Sequence, residues 1–188
     1  MDGIAWAASA MVAARTRLEI ATDNLANCST DGFRRVVARG SLTARGASIA
    51  RVPSHDHGAL RATGRDLDLA IVGDGAFRVR DAAGRVQETR SGAFVRCADG
   101  TLRDDDGRTL LGLHGLLRVA NAKQIDAAAL GLPAHSRVQS GFLETSGVDA
   151  IAQMIDVLSA ERSFESAQKA VAAIDSSRQK SAEAARVK

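Results

Sequence analysis

Apolar residues recur every three or four positions at both ends of the chain, the spacing of a helix that packs along a seam. The first such segment runs from Asp2 to Leu25 and contains no proline. Its seam positions alternate large side chains with alanine, and they are Ile4, Ala7, Met11, Ala14, Leu18, Ala21 and Leu25. Because small residues let a partner helix approach while large ones fill the gaps, the pattern predicts a paired N-terminal helix.

The last segment of the chain, from Asp149 toward Ser177, repeats this pattern. Its seam positions are Val157, Ala160, Phe164, Ala167, Val171 and Ile174. At its start the apolar stripe is widened by Ile151, Met154, Ile155 and Leu158. Ser146 and Asp149 precede it and are residue types that cap helix N-termini. The polar sequence after Ser177 predicts a frayed tail.

Between the two helices the hydrophobic period falls to two, which is typical of half-buried strands. Residues 66–71 alternate polar and apolar, and residues 76–80 do so again after the turn Gly73-Asp74-Gly75. Asp and Gly mark further turns at residues 81–84, 99–100 and 106–107. The pattern predicts a compact antiparallel β module from Ala59 to Val119, whereas residues 38–58 show no regular period.

These elements predict an α+β fold in which long N- and C-terminal helices pair as a coiled-coil arm, with a small antiparallel β domain between them in the chain. The predicted parts are an N-terminal helix and turn (1–33), an irregular connection (34–58), a β-rich middle domain (59–140) and a C-terminal helix with a polar tail (141–188). Ordering a residue costs about 1–2 kcal/mol of backbone entropy, and buried alanine returns little of it. An alanine-rich arm is therefore marginal alone, which is typical of a subunit that assembles.

Composition and charge exclude several classes of protein. The 188 residues are 45% hydrophobic and 25% charged, which excludes wholesale disorder. The chain has 25 basic and 22 acidic residues, scattered rather than clustered, and no Tyr and one Trp for base stacking. We expect no nucleic-acid partner. With no apolar run of the ~18 residues that span a bilayer and no basic leader, we expect neither an integral membrane protein nor a cleavable signal.

Candidate metal ligands are few. His55 and His57 have the spacing of two ligands on one side of a strand, but only His114 and His135 remain as further imidazoles. Zinc needs at least three protein ligands, so we expect no metal. The chain has two cysteines, at positions 28 and 97, which leave open one disulfide or two separate thiols.

Motifs for catalysis or cofactor binding are also lacking. Residues 104–107 lack the spaced acids of a calcium loop and predict a hairpin turn, and Gly73-Asp74-Gly75 lacks the later Gly and Lys of a phosphate loop. There is no Gly-x-Ser-x-Gly nucleophile elbow. We expect no enzyme, no cofactor and no small-molecule substrate. A hydrolase that uses His55 or His57 is the enzymatic alternative.

Three ordered stretches resemble bacterial flagellar basal-body rod and hook proteins. The first, residues 23–34, resembles the family segment Asn-Leu-Ala-Asn…Thr-x-Gly-Phe, with the turn motif at Asn24, Asn27, Thr30, Gly32 and Phe33. Residues 66–77 resemble Leu-Asp-Leu-Ala-Ile…Gly-Asp-Gly-x-Phe, and residues 141–149 resemble Gly-x-Leu-Glu-x-Ser-Asn-Val-Asp. Residues 90–100 fit as well. Together the stretches are spread along the chain from residue 23 to residue 149.

The resemblance implies a structural subunit of the basal-body rod that polymerises with its own copies and other rod and hook proteins. It implies terminal helices in an inner coiled-coil layer, a β domain outside, and torque carried through a rod that crosses the periplasm. It also implies delivery by the flagellar type III export apparatus. Residues 137–144 and 162–165 are more similar to the proximal-rod type. The alternatives are a distal-rod or hook-type protein, and a cytosolic coiled-coil adaptor with a β ligand-binding module.

Individual residues carry further expectations. Asn27 is expected to end the first helix in the left-handed conformation, with Phe33 anchoring the turn that follows. Glu144, close to the start of the last helix, is expected to act as a cap and dipole partner. Gly147 stands where the family has Asn, which loosens the start of that helix. Because the chain reaches its last helix soon after Leu111, we expect the second outer β domain of longer family members to be missing.

Overall fold

The computed structural model describes residues 3–43, 46–119 and 125–186. In chain order its elements are α1 (Gly3–Ala26), β1 (Val36–Thr43), β2 (Gly46–Pro53), β3 (Leu60–Ala62), β4 (Leu69–Val72), β5 (Phe77–Arg80), β6 (Val86–Thr89), β7 (Val95–Arg96), β8 (Leu102–Arg103), β9 (Thr109–Gly112), β10 (Gly115–Leu116), β11 (Arg137–Ser140), β12 (Phe142–Glu144) and α2 (Ala150–Arg186). Two helices thus flank antiparallel strands, and the predicted α+β class is confirmed.

The chain forms two compact units. The first, called the helical unit, consists of Met1–Ala26, Arg35–Ser54 and Asp149–Lys188. The second, called the β unit, consists of Asn27–Arg34 and His55–Val148.

In the helical unit, α1 and α2 pack against each other. Near the end of α1, the Asn24 amide donates to Gln153 Oε1 near the start of α2, at 2.9 Å. Near the start of α1, a Cβ added to Gly3 would lie in ordinary contact with Ile174. The two helices therefore run antiparallel.

The helical unit also contains a β-hairpin in the segment that was expected to be irregular. Strands β1 and β2 pair from Val36↔Pro53 to Thr43↔Gly46, and both contact α1. The expectation of an irregular connection over residues 34–58 was wrong. Gly, Ala and Ser, which have low β propensity, separate the β-branched residues of both strands, so the alternation is hidden. Contact with the helix stabilises the hairpin where local propensity does not.

The start of α2 was predicted correctly and its end was not. The carboxylate of Asp149 accepts hydrogen bonds from the amides of Ile151 at 2.9 Å and Ala152 at 3.3 Å, which confirms an N-cap. The helix continues to Arg186, so the expected fraying after Ser177 was wrong. Residues 178–186 contain no Gly or Pro and are rich in Ala, Arg, Lys, Gln and Glu, which favour helix. Residues 187 and 188 of the predicted tail lie outside the described residues.

The β unit is built on a six-stranded antiparallel sheet in the order β6-β5-β9-β8-β7, with β10 paired to β9. Its buried core consists of Leu69, Ile71, Phe77, Val79, Phe94, Leu102, Leu110, Val119, Ile125 and Leu130. The rings of Phe77 and Phe94 meet edge to face with centroids 5.4 Å apart, a favourable geometry for an aromatic pair. The predicted antiparallel module is confirmed, but β11 pairs with β4 and β12 with β3. The β unit thus continues past residue 140.

Candidate functional site

The predicted seam positions are half-buried or buried in the helical unit, and Ala13 and Ile20, which lie off the seam, are buried as well. On α1, Ala14 and Ala21 are each 4% exposed, and on α2, Ala160 and Ala167 are 4% and 9% exposed. The other seam positions are half-buried: Ile4, Ala7, Met11, Leu18, Leu25, Val157, Phe164, Val171 and Ile174. The four alanines are thus the most deeply buried seam positions, whereas the larger seam side chains keep part of their surface in water.

Asn24, a residue of the turn motif, is buried in the helical unit, where its side chain forms hydrogen bonds to two other elements. We call this set of hydrogen bonds the joint of the helical unit. Its side chain is 1% exposed and donates both to Val36 O at 2.7 Å and to Gln153 Oε1 at 2.9 Å. Its carbonyl oxygen accepts from the Val36 amide at 2.8 Å. A primary amide supplies donors and an acceptor together, so this one side chain ties α1 to β1 and α2. Only the family motif singled out Asn24, because helical periodicity places it off the seam.

A second apolar face of α2 lies in solvent. Its residues follow helical spacing and are Ile151, Met154, Ile155 and Leu158, which are 72%, 53%, 62% and 55% exposed. All four remain more than half exposed, although Ile155 and Leu158 line a groove together with Ala7 and Ala10 of α1. Contiguous exposed apolar residues of this size mark interaction surfaces. We call these four residues the α2 apolar face.

The turn after α1 belongs to the β unit. The Asn27 carbonyl accepts from the Thr30 amide at 3.2 Å, and the Thr30 hydroxyl donates to Asn27 Oδ1 at 3.2 Å. The expectation of a left-handed Asn27 was wrong, since every described residue with positive φ is a glycine. The left-handed residue of this turn is Gly32, at φ 70°. The carbonyl of Phe33 accepts from the Gly147 amide at 3.2 Å, which holds the end of the turn.

Gly32 brings the family-like stretches together in the β unit. Its amide donates to the Glu144 carbonyl at 2.6 Å, and a Cβ at this position would collide with the backbone of Ser91. A Cβ on Gly92 would likewise collide with the carbonyl of Leu69. Only glycine allows these close backbone approaches. Stretches far apart in sequence therefore meet at one place, which we call the motif junction.

A buried ion pair lies at the motif junction. Arg90 Nη1 is 3.0 Å from Glu144 Oε2, with the two side chains 2% and 4% exposed. Arg90 also donates to Ile71 O at 2.9 Å and Gly73 O at 2.5 Å, and Glu144 Oε1 accepts from the Gly58 amide at 3.1 Å. The expectation that Glu144 caps a helix was wrong: it lies in β12, and its role is to neutralise Arg90. Nothing in the sequence pairs these two residues.

His57 and His135 both lie against Asp74, whereas His55 lies against Arg34. His55 Nδ1 lies 3.4 Å from Arg34 Nη2, whereas His57 lies 3.9 Å from Asp74 and 3.7 Å from Glu144. Asp74 Oδ2 is also 3.0 Å from His135 Nε2. This hydrogen bond, followed by the charges of the histidines and Arg90, lowers the pKa of Asp74 below its ordinary value. Among residues 3–43, 46–119 and 125–186, no three His, Cys, Asp or Glu residues are arranged to hold a metal ion.

Three remaining features concern residues 104–107, the cysteines and the bilayer. The predicted hairpin turn forms, with Gly107 N donating to Asp104 O at 2.9 Å.

Cys28 and Cys97 are both free and half-buried, so the structure has two thiols rather than a disulfide. No helix in the described part of the chain is long and apolar enough to cross a bilayer.

Both ends of the chain match known protein families. Residues 4–34 match the family described as "Flagella basal body rod protein". Residues 139–184 match the family described as "Flagellar basal body rod FlgEFG protein C-terminal". The first range holds Asn24 and Gly32, and the second holds Glu144 and the α2 apolar face. The matched ranges thus contain residues of both the helical joint and the motif junction.

The chain is also similar to individual flagellar proteins. It is 26% identical to the flagellar basal-body rod protein FlgG of Agrobacterium fabrum over 251 aligned positions, covering 93% of this chain and 96% of that protein. It is 35% identical to the rod protein FlgF of Mesorhizobium japonicum, covering 61% of this chain and 51% of that protein. It is 32% identical to the hook protein FlgE of Brucella abortus, covering 71% of this chain and 38% of that protein.

Proposed function

Because this chain belongs to the flagellar rod and hook family and is a structural subunit of the flagellar axis, we propose that it builds the basal-body rod through its terminal helices. The family is a structural one and not a family of enzymes. The proposed partners are copies of the same chain and other rod and hook proteins. The proposed delivery route is the flagellar export apparatus.

The α2 apolar face is the observation that carries this proposal. Transfer of one large aliphatic side chain from water to a buried site stabilises a protein by about 1.5–3 kcal/mol. Four such side chains exposed on one helix therefore favour the binding of a partner that buries them. Helices with matching small residues are suited to cover them, because alanine allows close approach. We assign the terminal helices of neighbouring copies as the occupant of this face.

We further propose that the seams of α1 and α2 pair as a coiled-coil arm. The three-four spacing on both helices and the four buried alanines support this arrangement. The half-buried large seam residues leave surface for additional helices. The arm would then become fully stable only when neighbouring copies surround it.

A rod position is supported by the extent of the comparisons. The chain spans 96% of the rod protein FlgG but only 38% of the hook protein FlgE. The alignment of 251 positions with a chain of 188 residues means that the rod relative contains inserted residues. This supports a shortened middle region. Within the rod we favour the proximal type, on residues 137–144 and 162–165.

The test is the introduction of negative charge into the α2 apolar face. In Ile155→Glu with Leu158→Glu, both side chains are exposed, so the isolated chain should fold with an unchanged melting temperature. The variant should be exported but absent from isolated basal bodies, and the cells should be non-motile. The matched control, Gln168→Glu with Ala172→Glu, adds the same charge at exposed α2 positions outside the face and should assemble. Normal assembly of the first variant would contradict the proposal.

A further inference from the structure

A row of five side chains crosses the outer face of the six-stranded sheet. Cross-strand pairing places Val86 opposite Arg80, Arg80 opposite Thr109, Thr109 opposite Arg103, and Arg103 opposite Val95. Residues directly opposite each other project from the same face of a sheet. The other face carries the core side chains. We call Val86, Arg80, Thr109, Arg103 and Val95 the arginine row.

The polar groups of the arginine row lack partners. Arg80 and Arg103 are exposed, and neither guanidinium forms an ion pair or hydrogen bond with any described residue. The Thr109 hydroxyl likewise has no hydrogen-bond partner among the described residues. Val86 and Val95, at the two ends of the row, are 55% and 53% exposed. The row thus presents three free donor groups between two apolar shoulders.

The neighbouring acids are already engaged by other groups. Asp81 accepts from the backbone amide of Arg85 at 2.9 Å and from its Nε at 2.8 Å. These hydrogen bonds, the backbone one above all, lower the pKa of Asp81. Asp104 accepts from Arg108 Nε at 2.7 Å. The charges of these two acids are therefore matched by adjacent arginines and not by the row.

Asp99 is the remaining acid whose charge interacts with the row. The pKa of Asp99 is lowered first by its hydrogen bonds from Thr101, and the charge of Arg103 adds to this effect. No direct contact joins Asp99 to Arg103 in the described structure. The guanidinium of Arg103 thus keeps its hydrogen-bonding groups free for a ligand.

In the adjacent row on the same face, the arginine has both an acidic neighbour and a hydrogen-bond acceptor. Arg78 stands opposite Glu88 and donates to the Gly112 carbonyl at 2.8 Å. Arg80 lies two residues further along the same strand, and its cross-strand neighbour on β6 is Val86 rather than a glutamate. The unneutralised charge is therefore a local property of the arginine row rather than of the sheet.

The two row arginines are placed to act on one ligand group. Adjacent strands lie ~4.8 Å apart, so two strand spacings separate their Cα atoms by roughly 10 Å. Arginine side chains can converge over that span on an oxyanion above the Thr109 hydroxyl. A guanidinium binds carboxylate or phosphate oxygens through paired N–H donors. A cavity of about 380 Å³ lies here, lined by Arg80, Asp81, Ala82, Gly84, Arg103, Gly107 and Thr109.

We propose that the arginine row binds an acidic peptide segment of another protein, in which one carboxylate is flanked on both sides by apolar side chains. The arginines and Thr109 hold the carboxylate, and Val86 and Val95 contact the flanking apolar groups. The two valines favour a peptide over a free inorganic anion, since an anion alone would leave both shoulders uncovered. This surface belongs to the β unit and acts independently of the proposed helix assembly.

The test measures binding to the full chain by NMR chemical shifts. The first probe is an acetylated, amidated peptide Val-Gly-Asp-Gly-Val, and the second is the same peptide with Asn for Asp. The Asp peptide should shift the signals of Arg80, Arg103 and Thr109 in a saturable way. The Asn peptide should bind about tenfold more weakly, because the charge-assisted hydrogen bonds are lost.

Variants and inorganic phosphate complete the test. Arg80→Gln and Arg103→Gln should each weaken binding of the Asp peptide about tenfold. The control Arg15→Gln removes the same charge from an exposed pair on α1 and should leave binding unchanged. Equal binding of the two peptides, unaltered binding by both row variants, or phosphate binding as tight as the Asp peptide would each overturn the proposal.

Discussion

Arg90 and Glu144 form an ion pair that is almost fully withdrawn from water, with Nη1 and Oε2 3.0 Å apart. Removing one partner of a buried pair leaves an uncompensated charge, which typically costs about 3–5 kcal/mol. Glu144→Gln keeps the shape of the side chain and removes only its charge. We expect it to lower the free energy of unfolding by an amount in that range, measured by denaturant titration.

A double-mutant cycle separates this pair from its surroundings. Arg90→Met combined with Glu144→Gln should lose less stability than the two single changes added together, because neither charge is then left alone. Strictly additive losses would show that the two residues do not depend on each other. In that case each side chain would stabilise the motif junction through its own hydrogen bonds to the backbone.

Asn24→Ala tests the joint of the helical unit. It removes three hydrogen bonds and leaves the Val36 amide and the Gln153 side chain without their partner. Each buried group left unsatisfied costs about 1–3 kcal/mol, so we expect a loss of several kcal/mol in thermal or denaturant unfolding. The matched control is Thr22→Ala, an exposed position on the same helix whose hydroxyl bonds only within it. If the two variants unfold with similar free energies, the hydrogen bonds of Asn24 do not stabilise the helical unit.

Ala160→Leu tests the close approach of the two helices. The alanine is 4% exposed, so a larger side chain must displace its buried neighbours, at a cost of typically about 1–3 kcal/mol. The same substitution at Ala172, an exposed position of α2, should leave stability nearly unchanged. Circular dichroism during thermal unfolding distinguishes the two. Tolerance of leucine at both positions would contradict the seam geometry.

Acid titration tests the contacts of Asp74. Its pKa is lowered from the ordinary 3.8, first by the hydrogen bond with His135. Because the folded pKa lies below the unfolded one, the stabilisation is present above the unfolded value and is lost as pH falls through the folded value. Between about pH 5 and about pH 2 we expect the free energy of unfolding to fall less steeply in Asp74→Asn than in the wild type.

The control for this titration is Thr22→Ala, which changes an exposed position of α1 and removes no carboxyl group. Its free energy of unfolding should depend on pH as that of the wild type does. Asp81 and Asp99 also have lowered pKa values, so Asp74→Asn should remove only part of the acid dependence. A slope identical to the wild type in Asp74→Asn would mean that the histidine contacts do not contribute to stability.

The helices could be predicted from the sequence because helical spacing is a local signal. The extent of α1, the Asp149 cap and the strands around Phe77 were all predicted from residues within a few positions of one another. The hairpin of β1 and β2 was missed because its stability comes from α1 rather than from its own propensity. The end of α2 was misplaced because a polar helix and a frayed tail have similar compositions.

The candidate site was predictable only where it depends on spacing. Arg90 and Glu144 are 54 residues apart in the chain, and no periodicity links them. The sequence identifies the residues of the α2 apolar face as an apolar stripe. It does not predict their exposure, because spacing does not distinguish residues that pack inside the chain from residues left exposed. The need for glycine at position 32 arises from the backbone of Ser91, which only the folded structure brings near.

The most direct test of the rod proposal is photo-crosslinking from position 155 in living cells. A photoreactive residue replaces Ile155, which is 62% exposed, and basal bodies are isolated after irradiation. The prediction is a crosslink from this position to the terminal helices of a neighbouring axial subunit. Basal bodies that contain the protein but show no such crosslink, or that lack the protein altogether, would contradict assembly through the α2 apolar face.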